Sequence, residues 1–360
     1  MQPLTSYERI SRFLKREPAD RIGLCESFWG DTINHYIQQG HIQPGENTET
    51  HFGLDAMQNW TLNLVLDLDF PGETIEETAE TRLVRDGNGA IMRRHKLHDT
   101  TPEHVDFSIK NRSDWENVKE KLIKIDPRRI NFEAYRQTKA HAKMLNKFFF
   151  LSGPNVFELM HPICGHEYML MGMALDPDWI HDMVSVYADT VLQLHEILFA
   201  QEGMPDGIFY YEDMGFKNRP FMSPDMYKEM IFPAHKRTIG FAHERGLPVL
   251  MHSCGFVEPL LPAIVEAGVD CLQVIEIKAG MDLLRIHKNY GDVLSLMGGI
   301  DVRTLYSNDR AIIDRELEAK IPIVKQGFGY CLHSDHSIPK TVDYDTLRYF
   351  MQRGLELGTY

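Results

Sequence analysis

The chain alternates short apolar runs with amphipathic segments, most regularly from about residue 148 onward. Six apolar runs, five of them followed by a helical pattern and the last by an exit loop, are KFFFLSGP, DGIFYYEDMG, LPVLMHSCG, VDCLQVIE, VLSLMGGID and GFGYCLHSDHSIP. Alternating strands and helices are typical of parallel βαβ units. With a strand in RIGLCES and one more strand in the early region, these units predict an α/β fold, a closed (β/α)8 TIM barrel.

The early region is less regular than the rest. An amphipathic helix is predicted in TSYERISRFLKRE, whereas residues 30–125 hold turn signals and the charged helix SDWENVKEKLIK. We therefore predict one barrel domain over residues 1–360, with 30–125 as an N-terminal elaboration. An open doubly wound sheet is the alternative, but no glycine-rich phosphate loop follows the first strand.

Charge and composition narrow the classes of function. The 360 residues carry a formal net charge of −14, which argues against general binding to nucleic acid or to anionic membranes. No apolar run is long enough to span a bilayer, no signal peptide is apparent, and the five cysteines form no disulfide pattern, so a cytoplasmic protein is expected. A chain of this length needs no metal for folding, so a bound metal would serve chemistry.

Charged and metal-binding side chains recur where the predicted strands end. In a barrel, catalytic residues lie at these C-terminal strand ends. The series is Glu212, Asp213, His252, Cys254, Glu276, Asp301, Asp335 and His336. This repetition at one structural level predicts an active site at the barrel mouth.

The pair His252 and Cys254 is the most specific feature in this series. Residues at i and i+2 of a strand share one face, so both side chains can reach one ion. Zinc accepts imidazole nitrogen and thiolate sulfur, and catalytic zinc sites use three protein ligands and one open position. The alternative is a core histidine beside a buried free cysteine.

A third zinc ligand is predicted in the last strand or the loop after it. Cys331 is the first candidate, although a buried cysteine filling the core is the alternative. His333, Asp335 and His336 lie nearer the mouth and could replace it.

Carboxylates and a histidine near the metal are predicted to move protons. Glu212 and Asp213 are adjacent on one strand, so one of them should face the mouth. We predict catalytic roles for Glu212, Asp213, Asp335 and His336.

The segment HPICGHE is a second group of potential ligands, comprising His161, Cys164, His166 and Glu167. Its spacing matches no metal geometry, so Glu167 is predicted to bind substrate instead. Glu276 receives the same prediction.

The sequence that contains these residues resembles the uroporphyrinogen decarboxylase superfamily. The resemblance lies in the closing HSDHSIP and in the stretch LMHSCGFVEPLLPAIVEAGVDCLQVIEIKAGMDLLRIHKNYGDVLSLMGGIDVRTL. The resemblance is strongest to its corrinoid-dependent methyltransferase branch. In those enzymes a His-x-Cys pair and a later cysteine hold zinc, which implies His252, Cys254 and, by spacing, Cys331 as ligands. In the family, the later cysteine usually lies in the loop after the last strand. In this sequence, Asp335 and His336 lie nearer to that position than Cys331 does.

The resemblance implies a zinc-dependent methyltransferase that moves a methyl group between a methylated small molecule and the cobalt of cobalamin. No D-x-H-x-x-G signature occurs, so cobalamin would arrive on a separate corrinoid protein. Aromatic-rich stretches such as FYYEDMGF favour a methoxy compound and O-demethylation. A homodimer remains open.

Two other functions remain as alternatives. One is a metal-free decarboxylase or lyase of the same superfamily, acting on another carboxylated substrate. The arginine-rich motif that holds porphyrinogen carboxylates is missing from GLCESFWGDT, which argues against porphyrinogen itself. The other is a non-catalytic barrel that binds a small molecule.

Overall fold

Eight short strands form one parallel sheet whose order follows the chain. They occur in a computed structural model that describes residues 3–97, 99 and 101–360. The strands are β1 Gly23–Leu24, β2 Ala56–Trp60, β3 Phe148–Pro154, β4 Gly207–Tyr211, β5 Val249–Ser253, β6 Cys271–Val274, β7 Ser295–Gly298 and β8 Tyr330–Leu332. Their order in the sheet is β1-β8-β7-β6-β5-β4-β3-β2, and all the neighbouring pairs are parallel. The predicted (β/α)8 barrel is confirmed.

The two ends of this sheet meet at Asp55, which directly precedes β2. Its backbone N–H donates to the Leu24 carbonyl of β1 at 2.8 Å, and its carboxylate accepts from the Leu24 N–H at 2.9 Å. The same fully buried carboxylate pairs with Arg9 at 2.7 Å and Arg21 at 2.8 Å. These contacts join β1 to the start of β2 at the seam of the barrel, where the two ends of the sheet meet. Because a buried carboxylate needs such partners, Asp55 holds this seam closed.

The barrel interior changes from apolar to polar along the strands. At the lower end, helix Ser6–Lys15 closes the floor, because its Ile10, Phe13 and Leu14 pack in one cluster with inward-facing strand residues. Those strand residues are Phe148, Phe150, Phe209, Leu250, Cys271, Met297 and Cys331. Two positions further along the strands, the same face presents Ser152, Tyr211, His252, Gln273 and His333, as the two-residue period of a strand requires. The polar side chains of these five strands therefore lie toward the mouth.

Helices surround the barrel. Those before β3 are Ser6–Lys15, Gly30–Gln38, Thr48–His51, Arg112–Glu116, Glu120–Ile123 and Phe132–Met144. Those after it are Val156–Leu175, Pro177–Glu202, Pro224–Met226, Phe232–His243, Leu261–Ala267, Leu283–Tyr290, Arg303–Tyr306, Arg310–Val324 and Tyr344–Leu357. Within the described ranges, no helix is both long and apolar enough to cross a membrane.

Besides short helices, the predicted elaboration at 30–125 contains strands of two different sheets. One is an antiparallel sheet of Glu73–Glu77, Thr81–Arg85, Ile91–His95 and Glu103–Asp106, which the sequence analysis did not predict. The other is barrel strand β2, the additional early strand that closure of the barrel required. The segment is therefore partly an insertion and partly barrel.

Candidate metal centre at the barrel mouth

Three side chains from two neighbouring strand ends converge at the mouth. The ligand atoms of Asp213, His252 and Cys254 all lie within 4.8 Å of one another. The His252 Nε2 is 3.2 Å from the Cys254 Sγ and 3.3 Å from the Asp213 Oδ1. One nitrogen, one sulfur and one carboxylate oxygen form a ligand set that suits zinc.

Local backbone contacts fix this arrangement. The Cys254 N–H donates to the Asp213 Oδ1 at 2.8 Å, which joins the loops after β4 and β5. Gly255 has a φ of 80°, and a Cβ there would lie 2.2 Å from the backbone of Gly215. Only glycine permits this approach, and the Gly255 N–H then donates to Glu276 at 2.7 Å. The glycine of the HSCG motif therefore positions Cys254.

A chain of hydrogen bonds behind His252 selects its tautomer. The His333 Nδ1 lies beside the Ser334 carbonyl and 3.4 Å from the Glu26 carboxylate, so Nδ1 carries the proton. The His333 Nε2 then accepts from the Gln273 amide at 3.4 Å, and the Gln273 Oε1 accepts from the His252 Nδ1. With Nδ1 engaged by Gln273, Nε2 is the nitrogen directed toward Cys254 and Asp213, where a bound metal would take the place of its proton.

The sequence analysis did not identify Gln273, Glu26 or His333 as a supporting chain. A signal for Gln273 exists, because it pairs in register with His252 on the neighbouring strand and faces the same interior. Strand alternation from Cys271 places it there.

The electrostatics of the group favour a cation at its centre. Burial opposes charge on His252, but the neighbouring Cys254 and Asp213 hold the pKa of His252 well above its usual value. Burial likewise opposes charge on Asp213, yet His252 lowers the pKa of Asp213 to about 2. Burial raises the pKa of the Cys254 thiol, and His252 opposes this rise. The cluster therefore attracts positive charge.

A chamber of about 500 Å³ opens above this group. Its wall comes from several strand ends and includes Glu26, Phe28, Trp29, Glu49, Gln58, Tyr211, Gln273, His333 and His336. A smaller cavity of about 50 Å³ shares Glu26, Gln58 and His333 with the chamber and reaches Phe150, Phe209 and Met297. The space for a small molecule thus extends from the candidate ligands into the barrel.

The structure does not bring Cys331 to this group. Cys331 is fully buried in the apolar cluster near the barrel floor, with Cys271 and Met297. Burial raises the pKa of its thiol well above the usual value, which suits a neutral thiol in the core. Asp213, which the sequence analysis predicted as a catalytic residue, takes the third position instead.

Glu212 also differs from its predicted role. Of the adjacent pair, Asp213 faces the mouth, whereas the fully buried Glu212 points to the helices. It bonds to His235 at 2.6 Å and accepts from the N–H groups of Phe157 and Glu158 at 3.1 and 2.7 Å. Glu212 therefore anchors the start of helix Val156–Leu175.

The other predicted site residues are distributed around the mouth. His336 lines the chamber beside Trp29, with ring centroids 5.8 Å apart. Asp335 is buried and accepts from the N–H groups of Ile277 and Val302, both at 2.8 Å, so it ties the loops after β6 and β7 together. Glu276 holds Gly255, and its other oxygen is 3.2 Å from Lys278.

The HPICGHE segment lies within helix Val156–Leu175, which the sequence analysis did not predict and which has a non-helical residue at Gly165. The rings of His161 and His166 stack at 4.4 Å, and His161 is 3.0 Å from Glu158. Glu167 is exposed. Glu158 also accepts from the backbone N–H of Asp213 at 3.2 Å, so this segment adjoins the group formed by Asp213, His252 and Cys254 without supplying one of its three residues.

The fold and the site together define a TIM barrel with a candidate metal centre at its C-terminal mouth. A family model for uroporphyrinogen decarboxylase (URO-D) matches residues 98–355, and the chain belongs to this family. This confirms the resemblance that the HSCG stretch indicated.

A sequence relative and a solved structure of similar fold are both methyltransferases from Methanosarcina mazei. A methylated-thiol–coenzyme M methyltransferase is 26% identical over 152 residues, which span 42% of this chain and 38% of that protein. A solved methyltransferase structure matches with a TM-score of 0.68 at 15% identity, covering 98% of this chain and 99% of the other. The structural likeness extends over the whole barrel and establishes the fold.

Proposed function

We propose that this protein is a zinc-dependent methyltransferase that moves a methyl group between a methylated small molecule and the cobalt of a separate corrinoid protein. The observation that carries the proposal is the convergence of Asp213, His252 and Cys254 within 4.8 Å at the barrel mouth. Membership of the URO-D family and the similarity to a methylated-thiol–coenzyme M methyltransferase support it.

The residues present fit a zinc ion. His252 would bind through Nε2, because Gln273 engages its Nδ1. Cys254 would bind as the thiolate and Asp213 through a carboxylate oxygen, which leaves one position open. When bound, zinc supplies Lewis-acid stabilisation to the heteroatom that gains or loses the methyl group.

The chain's own residues would hold the small molecule beneath the partner. Tyr211 packs beside His252, with ring centroids 4.8 Å apart, and its hydroxyl donates to Gln58 at 3.3 Å. These side chains would orient the substrate from the barrel side. His336, whose pKa is lowered by burial, would stay neutral near neutral pH and could accept a proton at the mouth.

Metal analysis and an activity assay test the proposal together. Protein purified without chelator should contain about one zinc ion per chain, and Cys254→Ser should lose it. The zinc-loaded protein should methylate cob(I)alamin from at least one member of a panel of methoxy compounds, methylamines, methanol and methyl thiols. The matched control is Cys164→Ser, at a buried cysteine outside the site. Absence of zinc from wild-type protein, or equal activity in Cys254→Ser, would contradict the proposal.

A further inference from the structure

The chamber above the candidate metal centre is lined by acidic residues whose basic counterparts are histidines, with His333 3.4 Å from Glu26 and His252 3.3 Å from Asp213. Glu26, Glu49 and Asp213 contribute to its wall, and no lysine or arginine does so among the residues that the structure describes. The ammonium group of Lys278 is engaged by Glu276 at 3.2 Å. An acidic group on a bound compound that reaches neither the metal position nor a histidine would therefore be buried without a cationic partner, which is strongly unfavourable.

Two of these carboxylates are fixed in place. Glu26 is buried and accepts from the N–H groups of Ser27 at 2.9 Å and Ser334 at 3.0 Å. Glu49 accepts from the side-chain amide of Asn47 at 2.7 Å. A zinc ion bound by one thiolate and Asp213 would be charge-neutral, so Glu49 and Glu26 would remain as the acidic groups of the chamber, with burial raising the pKa of Glu26.

Aromatic side chains complete the wall. Phe28, Trp29 and Tyr211 line the chamber, and the ring of Tyr211 lies 4.5 Å from that of Trp60. Aromatic faces attract alkylated cations, and a nearby carboxylate adds to that attraction. The smaller cavity reaching Phe150 and Phe209 has room for an apolar part of the compound.

We infer that this chamber binds a methylated compound that has no carboxylate, sulfonate or phosphate group, and that a positive charge on the compound strengthens binding. The inference rests on the proposed function in that it assigns the class of methyl donor. The charge preference itself is a property of binding, and it can be measured without methyl transfer.

Two matched series of probes test the preference by calorimetry on the zinc-loaded full chain. The aromatic series is 4-methoxybenzylammonium, 4-methoxybenzyl alcohol and 4-methoxybenzoate. The aliphatic series is 2-methoxyethylammonium, 2-methoxyethanol and methoxyacetate. In at least one series, the cation should bind more tightly than the alcohol, and the anion should bind at least about tenfold more weakly than the alcohol. If the anion binds as tightly as its alcohol in every series that binds, or if neither series binds, the inference is overturned.

A pair of variants locates the source of the preference. Glu49→Gln should reduce the advantage of the cation over the alcohol, measured as the ratio of their affinities, by at least about threefold. Glu46→Gln removes a charge from the same segment, outside the chamber wall, and should preserve the advantage. Equal effects of the two variants would assign the preference to the general negative charge of the protein and would contradict a role for this wall.

The two proposals fail in different ways. Charge-selective binding with neither zinc nor methyl transfer would refute the proposed function and leave this inference intact. Methyl transfer from an anionic donor that binds more tightly than the neutral and cationic donors would refute this inference and leave the proposed function intact.

Discussion

The Nδ1 atom of His252 and the Oε1 atom of Gln273 form a hydrogen bond between neighbouring parallel strands. The two residues are register partners of β5 and β6, so the sheet itself holds the imidazole in position. The opposite edge of the ring faces Cys254 and Asp213. Gln273 is therefore a positioning residue for the candidate metal centre.

Replacing Gln273 should weaken zinc binding without removing a ligand. Loss of such a supporting hydrogen bond typically lowers metal affinity by about 10- to 100-fold, so Gln273→Leu should show a reduction in this range in competition with a chromogenic chelator. Gln58→Leu is the control, because Gln58 bonds to Tyr211 and Ser152 instead. Unchanged zinc affinity in Gln273→Leu would show that this bond does not orient the ligand.

Asp213 and Cys331 can be distinguished as third ligands by a pair of variants. Asp213→Asn should lower zinc affinity by at least about tenfold, because a neutral amide is a poorer ligand than a carboxylate. Cys331→Ala should retain full zinc content, because Cys331 lies in the apolar cluster above the floor helix. The reverse result, loss of zinc in Cys331→Ala alone, would restore the ligand set that family spacing implies.

Asp335 should make stability depend on pH in an unusual direction. Burial, with the charges of Asp301 and Glu276, raises the pKa of Asp335 to about 6, although the hydrogen bonds from Val302 and Ile277 oppose this. A carboxyl group whose pKa is higher in the folded than in the unfolded state binds more protons when folded. Its contribution to the free energy of unfolding therefore falls as pH rises from about 4 to about 6, by up to about 3 kcal/mol.

Urea denaturation at several pH values measures this contribution. In Asp335→Asn, the free energy of unfolding should lose the decrease between pH 4 and 6 that Asp335 causes in wild type. This difference in pH dependence is expected whatever the effect of the substitution on overall stability. Asp292→Asn, at an exposed position, should keep the wild-type dependence. The same slope in wild type and in Asp335→Asn would contradict the raised pKa.

Asp55 should be essential to the stability of the barrel seam. Asp55→Ala leaves Arg9 and Arg21 without their shared buried partner, and breaking such a network costs about 3–5 kcal/mol in the free energy of unfolding. Asp69→Ala, which removes an exposed partner of Arg128, should leave the denaturation midpoint unchanged. Equal midpoints for the two variants would show that the seam does not depend on the carboxylate.

Much of the barrel could be predicted from the sequence, because the period and length of its apolar runs are local properties. The same pattern predicted that a strand would end at His252 and Cys254. Helix Val156–Leu175 was missed, since Pro162 and Gly165 interrupt its pattern and tertiary packing overrides their low helix propensity.

The composition of the candidate site was harder to predict. Whether Glu212 or Asp213 faces the mouth depends on the register of β4 in the barrel, which adjacent sequence positions alone do not determine. The depth of Cys331 depends on the same kind of register, and it lies opposite Gly23 of β1. Family spacing suggested a third cysteine ligand, whereas three-dimensional proximity favours a carboxylate.

The helix that seals the barrel floor has a kinetic consequence. Because Ile10, Phe13 and Leu14 occupy the lower end, that end of the barrel is closed, and under the proposed function the small molecule and the corrinoid protein would share the mouth. Under the proposed function, turnover would then be ordered: the methyl donor enters before the partner covers the mouth, and the demethylated product leaves after the partner departs. An excess of partner protein would slow this cycle by covering the mouth.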